Sequence, residues 1–225
     1  MSKKSNFLKK KAKTDKQLKR TINEIEPYDR VLIVCEGEKT EPLYFEELKD
    51  FLKLSTANIK ITGDCDSSPS KVVEYAIQEY KENQKSSAPN FDKVFCVFDR
   101  DGHSTFEGAL LEIKKQKPKG VFEAITSTPC FEYWLLLHFT NTSSAFVKSG
   151  KKSACEMVIK ELEKHLPDYE KASEDTYPAV QENEDTAIMR SKNRLEDSIL
   201  CESPNPSTNI HDLVEYLKNL KKKRR

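Results

Sequence analysis

The chain has 225 residues, 36% of them hydrophobic and 33% charged, with a formal net charge of +1. That length suits one domain with extensions and buries a compact core, while the near-zero balance leaves the choice of partner to local charge. No apolar run reaches membrane-spanning length and the N-terminus has no apolar signal core, so the expected location is the cytoplasm, with no membrane partner.

Residues 1–27 are polar and basic, with nine Lys or Arg and one Asp in the first twenty. They are expected to form a flexible arm. This arm and the closing basic run at 221–225 read as solvated tails that also attract polyphosphate backbones. Arg30 to Cys35 is a short apolar run rich in β-branched residues and predicts a buried strand. Thr40-Glu41-Pro42 predicts a helix start, with Thr40 as cap, running to Leu54. Asn58 to Thr62 is a second strand, and Ser68 or Pro69 opens a helix to Glu82. Lys93 to Phe98 is a third strand, ending in "DRDGH". A helix over 105–116, a fourth strand over 121–126 and the apolar helix "FEYWLLLHF" follow.

This β-α alternation predicts an α/β fold, a parallel sheet of about four strands covered by helices on both faces. Residues 140–225 show helical patterns at 153–166, 185–198 and 207–221, and no strand. The expected organisation is the arm at 1–27, an α/β core at 28–140, a helical extension at 141–220 packed on that core, and the tail at 221–225. Six cysteines stand at 35, 65, 96, 130, 155 and 201. None forms a CxxC pair, so they read as reduced core residues and their spacing offers no zinc motif.

Ligands of open parallel sheets bind beyond the carboxyl ends of the strands. Glu36 follows the first strand there, and Asp99 and Asp101 follow the third. Strand periodicity puts the two aspartates on one side and Arg100 opposite. If the two strands are neighbours, three carboxylates converge, repel each other, and either raise their pKa values or recruit a cation. Oxygen ligands without His or Cys favour Mg2+ or Mn2+ and await a phosphate. Glu38 and Glu41 read first as helix N-terminal acids, with a second metal as their other use. Glu132 lies on an apolar helix face with Leu135, Leu136 and Phe139, so its carboxylate needs a metal or a basic partner. His138 reads as a core histidine. Lys39 reads first as a surface lysine and the Ser67 to Ser70 amides as an ordinary N-cap, with contact to a phosphate as the second use of each and of His103. Arg190, Lys192 and Arg194 form a basic cluster, read first as a solvated face and second as a backbone grip.

A strand ending "CEGEKTEPLYF" followed by one ending "FDRDGH" resembles a TOPRIM domain, as in primases, topoisomerases and OLD-type nucleases. The resemblance is closer to the RloB-like family, through "VCEGEKTEPLYF", "VFCVFDRDGH", "STPCFEYWLLLHF" and "NPSTNIHDLVEYL", which span residues 31–217. "TSTPC" departs from a Ser-Asn-Pro-Cys form there without touching the acids. The resemblance implies a Mg2+- or Mn2+-dependent nuclease of microbial anti-phage defence or abortive infection. It also implies an AAA-type ATPase partner and, as substrate, RNA such as transfer RNA or else DNA. By this resemblance Glu36, Asp99 and Asp101 are the metal and catalytic residues. Glu132 joins the catalytic set, and Gly37, Glu38, Lys39, Arg100 and His103 line the substrate. A homo-oligomer is compatible with this reading. A haloacid-dehalogenase-type phosphatase also carries Asp-x-Asp after a strand, but near its N-terminus and followed by Thr or Val. A non-catalytic nucleic-acid-binding or regulatory subunit of the ATPase complex is the second reading.

Overall fold

A computed structural model describes residues 28–222 apart from 57, 66, 67, 101 and 103. The N-terminal arm at 1–27, Asp101, His103 and the last residues of the basic tail therefore lie outside the described residues. A five-stranded sheet in the order β2-β1-β3-β4-β5 organises the rest. Its strands are β1 (Val31–Cys35), β2 (Ile59–Thr62), β3 (Lys93–Asp99), β4 (Phe122–Thr128) and β5 (Ser207–Thr208). The first four are parallel, and β5 runs antiparallel to β4.

β1 and β3 lie inside the sheet because both faces of each are apolar. Val31, Ile33, Cys35, Phe95 and Val97 enter one core cluster; Leu32, Val34, Val94, Cys96 and Phe98 enter the other. Alternate residues of one strand point to opposite faces, so such a continuous apolar run fits only a doubly covered sheet. Each fully buried aliphatic or aromatic side chain there contributes roughly 2 kcal/mol.

Helices α2 (Pro69–Lys85) and α3 (Phe106–Lys115) cover one face. The other is covered by α1 (Thr40–Phe51), α4 (Glu132–Leu137), α5 (Ala154–Leu162), α6 (Thr176–Val180), α7 (Glu184–Leu200) and α8 (Ile210–Asn219). The helical half of the chain thus shares a core with β1 and β3. Trp134 of α4 is fully buried, and its Nε1 donates to the Tyr44 hydroxyl of α1 at 2.8 Å.

Several expectations need correction. Ser207 and Thr208 are a strand, not a helix start. Asn209 explains the change: its Oδ1 accepts from the Thr126 N–H at 2.6 Å and its Nδ2 donates to the Ala124 carbonyl at 3.1 Å. The amide side chain extends the ladder along β4, and α8 begins only at Ile210. Thr40 is the first residue of α1 and caps nothing; its hydroxyl accepts the Ala172 N–H at 3.0 Å. α1 ends at Phe51 rather than Leu54, where Lys53 takes a left-handed φ of 54°. α6 and the 3-10 turn Gln181–Asn183 lie where no element was expected.

Candidate active site

β1 and β3 are neighbours, with Cys35 level with Val97. The ladder runs one residue further, through the Glu36 N–H to the Val97 carbonyl at 2.9 Å. Glu36 is therefore fixed in backbone at the carboxyl edge of the sheet, and its side chain turns across to β3. Its Oε2 accepts the Asp99 N–H at 2.9 Å, and Asp99 Oδ2 accepts the Phe131 N–H at 3.1 Å. Three consecutive chain crossings are thus stitched by carboxylate-to-amide bonds.

Glu41, in the first turn of α1, brings a third carboxylate to the same place and is only 6% exposed. Gly37 makes room for it: a Cβ there would lie 2.0 Å from Glu41 Oε2. Gly63, after β2, is required for a similar reason, since its Cβ would meet the Gly37 carbonyl at 2.3 Å. The two glycines let the β1–α1 turn fold tightly between an acid and a neighbouring loop.

Glu132 opens α4 and is 2% exposed. Its Oε1 pairs with Lys171 Nζ at 3.1 Å and accepts from the Tyr169 hydroxyl at 3.4 Å, while Oε2 accepts from Cys155 Sγ at 3.3 Å. The partner that this buried carboxylate needs is a basic side chain from the helical half. Glu36, Glu41, Asp99, Glu132 and Lys171 line one open cleft of about 520 Å³, with Gly37, Glu38 and Lys39 along it. Glu38 and Lys39 are exposed.

The crowding has an electrostatic signature. Burial lifts Asp99 well above the usual carboxylate range, and Glu41 and Glu132 lift it further against the pull of the Phe131 N–H. Glu41 is pushed up to about 7, first by burial and then by Glu132 and Glu36, with its own N–H and Lys171 opposing. Burial works against the Lys171 charge, but Glu132 and the neighbouring thiols outweigh it and hold its pKa above the ordinary lysine value. The donors of Glu36, Glu41 and Asp99 are all hard carboxylate oxygens, a set that fits Mg2+ or Mn2+.

Other candidates fall elsewhere. The Arg100 guanidinium turns away from the acids, 3.2 Å from Glu107 and 5.2 Å from the centre of the Phe106 ring. It lines an adjoining cavity of about 420 Å³ with Phe106, Thr128 and Pro129. The basic cluster on α7 is spent within the fold: Arg190 donates to the Leu137 carbonyl at 2.8 Å, Lys192 pairs with Glu215 and Arg194 with Asp197. His138 is a core residue, bonded through Nδ1 to the Trp134 and Leu135 carbonyls, and burial pushes it down to about 4. Ser191, His211 and Asp212 form a constellation that imitates a nucleophile triad. Ser191 Oγ, however, donates to the Thr208 carbonyl at 2.8 Å and faces His211 Nδ1 at 2.7 Å, fully buried, so it braces α7 against α8.

The chain fits the family profile described as RloB-like protein over residues 31–217. This protein belongs to the RloB-like family. No match was found among curated proteins or among solved structures. The region of the RloB-like chain that fits the profile starts at the first residue of β1 and ends inside α8, so it takes in every residue of the cleft. In the sequence Glu41 reads first as a helix N-terminal acid, and nothing singles out Gly63 or Lys171. Glu41 had a signal, standing five residues after Glu36 at the start of a helix. Lys171 had none, because it reaches the cleft only through the packing of a distant loop.

Proposed function

We propose that this RloB-like protein is a Mg2+- or Mn2+-dependent nuclease that cuts phosphodiester bonds in RNA, such as transfer RNA, or in DNA. Its setting is microbial anti-phage defence, with an AAA-type ATPase as partner. The observation that carries the reading is the convergence of Glu36, Glu41 and Asp99 in one open cleft at the carboxyl ends of adjacent parallel strands. Three carboxylates in one cleft, Glu36 and Glu41 buried and Asp99 half-buried, are costly unless a cation joins them.

Glu36, Glu41 and Asp99 would hold the cation, and Asp101, two residues after Asp99 in the sequence, is proposed to join them. The cation would polarise a phosphodiester and lower the pKa of a bound water. The chain does the rest. The Asp99 N–H keeps Glu36 Oε2 oriented, and Glu36 takes the proton of the attacking water or 2′-hydroxyl. The Phe131 N–H keeps Asp99 from turning out of the site. Lys39 on the exposed rim and Lys171 on the opposite wall offer positive charge to the phosphate. Glu132 acts through Lys171 by fixing its ammonium.

The test is a cleavage assay of the full chain, with and without the ATPase, on bulk transfer RNA and on plasmid DNA, with Mg2+, Mn2+ or chelator. Cutting that needs metal and is lost in Glu36→Gln and Asp99→Asn is expected, and the substrate cut names the class. Absence of cutting and of Mg2+ binding in every condition sinks the enzyme reading in favour of a regulatory or binding subunit.

A further inference from the structure

We propose that Cys130, Glu132 and Cys155 form a site for a thiophilic divalent cation of the zinc class, separate from the Glu36, Glu41 and Asp99 set. The three residues come from different places: the β4–α4 turn, the first turn of α4 and the first turn of α5. Twenty-five residues separate the cysteines, so the sequence shows no ligand pair, yet the fold brings one carboxylate oxygen and two sulfurs within 4.8 Å of one another. The Cys155 sulfur lies 3.3 Å from Glu132 Oε2. Ligand atoms around a tetrahedral zinc ion lie roughly 3.5 Å apart, given the usual zinc–sulfur and zinc–oxygen bond lengths. One donor pair is thus already at the separation a single ion requires, and the Cys130 sulfur lies within 4.8 Å of both.

Two further observations point to a cation. All three donors are buried, so they are desolvated and held by packing before any ion arrives. The cluster also already attracts a positive charge. Lys171 places its ammonium 3.1 Å from Glu132 Oε1 and 3.7 Å from the Cys155 sulfur. That side chain is 56% exposed and borders the cleft, so it has room to swing out when an ion enters. On binding, the two thiols become thiolates, their protons pass to solvent, and the lysine ammonium is displaced into water. Sulfur donors separate this site from the neighbouring carboxylates by softness: thiolates select zinc, carboxylates magnesium. An ion here would clamp the turn that carries Phe131, and with it the N–H that holds Asp99, to the helical half of the chain. The inference does not depend on the nuclease reading, since binding is measured without cleavage.

The experiment is a metal titration of the reduced, metal-stripped full chain in excess Mg2+, which occupies the carboxylate set. Co2+ serves as the spectroscopic probe. One equivalent should bind with a thiolate-to-cobalt charge-transfer band and be displaced by one equivalent of Zn2+. Cys155→Ser should remove the band and weaken Zn2+ binding about a hundredfold, while Cys201→Ser, at an exposed cysteine, leaves both unchanged. Lys171→Met removes the competing ammonium and should tighten Zn2+ binding about tenfold. A folded wild-type chain without the band, or a band that survives Cys130→Ser and Cys155→Ser, overturns the proposal. If the cysteine variants do not fold, Lys171→Met decides, and an unchanged affinity there overturns it as well.

Discussion

The acid cleft and the outer face of α7 are both dense in charge, and they use it in opposite ways. On α7, Lys192 meets Glu215 at 2.8 Å and Arg194 meets Asp197 at 2.7 Å. Lys218 of α8 reaches both Glu184 and Asp185 at the start of the same helix. Apart from buried Glu184, these charges meet their opposite neighbours in or near water, and little free energy is at stake there. In the cleft, Glu36, Glu41 and Glu132 are buried and Asp99 is half-buried, with Lys171 paired to Glu132 and Lys39 on the exposed rim. Like charges gathered in a poorly solvated place signal a binding role; matched charges on a surface signal solubility. Charge content alone does not separate the two regions, whereas placement does.

The largest expected break in this contrast is at Glu36. Glu36→Gln keeps an oxygen to accept the Asp99 N–H but removes the charge, so metal-dependent cleavage should fall at least about a thousandfold with little change in thermal stability. Next comes the pH response of the cleft. In the folded chain Glu41 is pushed up from 4.5 to about 7, so between those values the folded state holds a proton that the unfolded chain has released. Stability is therefore greatest below the lower value and falls as pH rises toward the upper one, by on the order of 3 kcal/mol. Buried His138 slopes the other way, gaining stability as pH rises from about 4 to 6.5. Hence the quantity to measure is the wild-type minus Glu41→Gln difference in urea unfolding, without divalent cations. That difference should fall across the window, and added Mg2+ at pH 8 should restore the wild type.

A smaller effect is expected at Gly37. Gly37→Ala puts a Cβ into the Glu41 carboxylate, which must move. Displacement of about an ångström in such a site costs about ten- to a hundredfold in rate, measured as cleavage at saturating Mg2+. The smallest effect belongs to α7. Lys192→Met should change unfolding stability by less than about 1 kcal/mol and leave the salt dependence of nucleic-acid binding unaltered. A steep loss of binding there would return α7 to the list of nucleic-acid contacts and blur the contrast between the regions.

The sequence by itself determined the parallel α/β core, because unbroken apolar runs such as Val31–Cys35 satisfy both faces of a strand only inside a covered sheet. It also placed Glu36 and Asp99 at strand ends, since the next residue after a buried run must face the edge where ligands enter. Tertiary structure decided what depends on distant segments meeting. Asn209 turns a helical-looking stretch into an edge strand by bonding to β4, more than eighty residues away in sequence. Lys171 reaches Glu132, and Cys155 reaches Cys130 and Glu132, because α5 and the loop after it pack against α4. Local pattern records which face of an element is apolar. It does not record which faces meet, because that choice is made by the packing of the whole core.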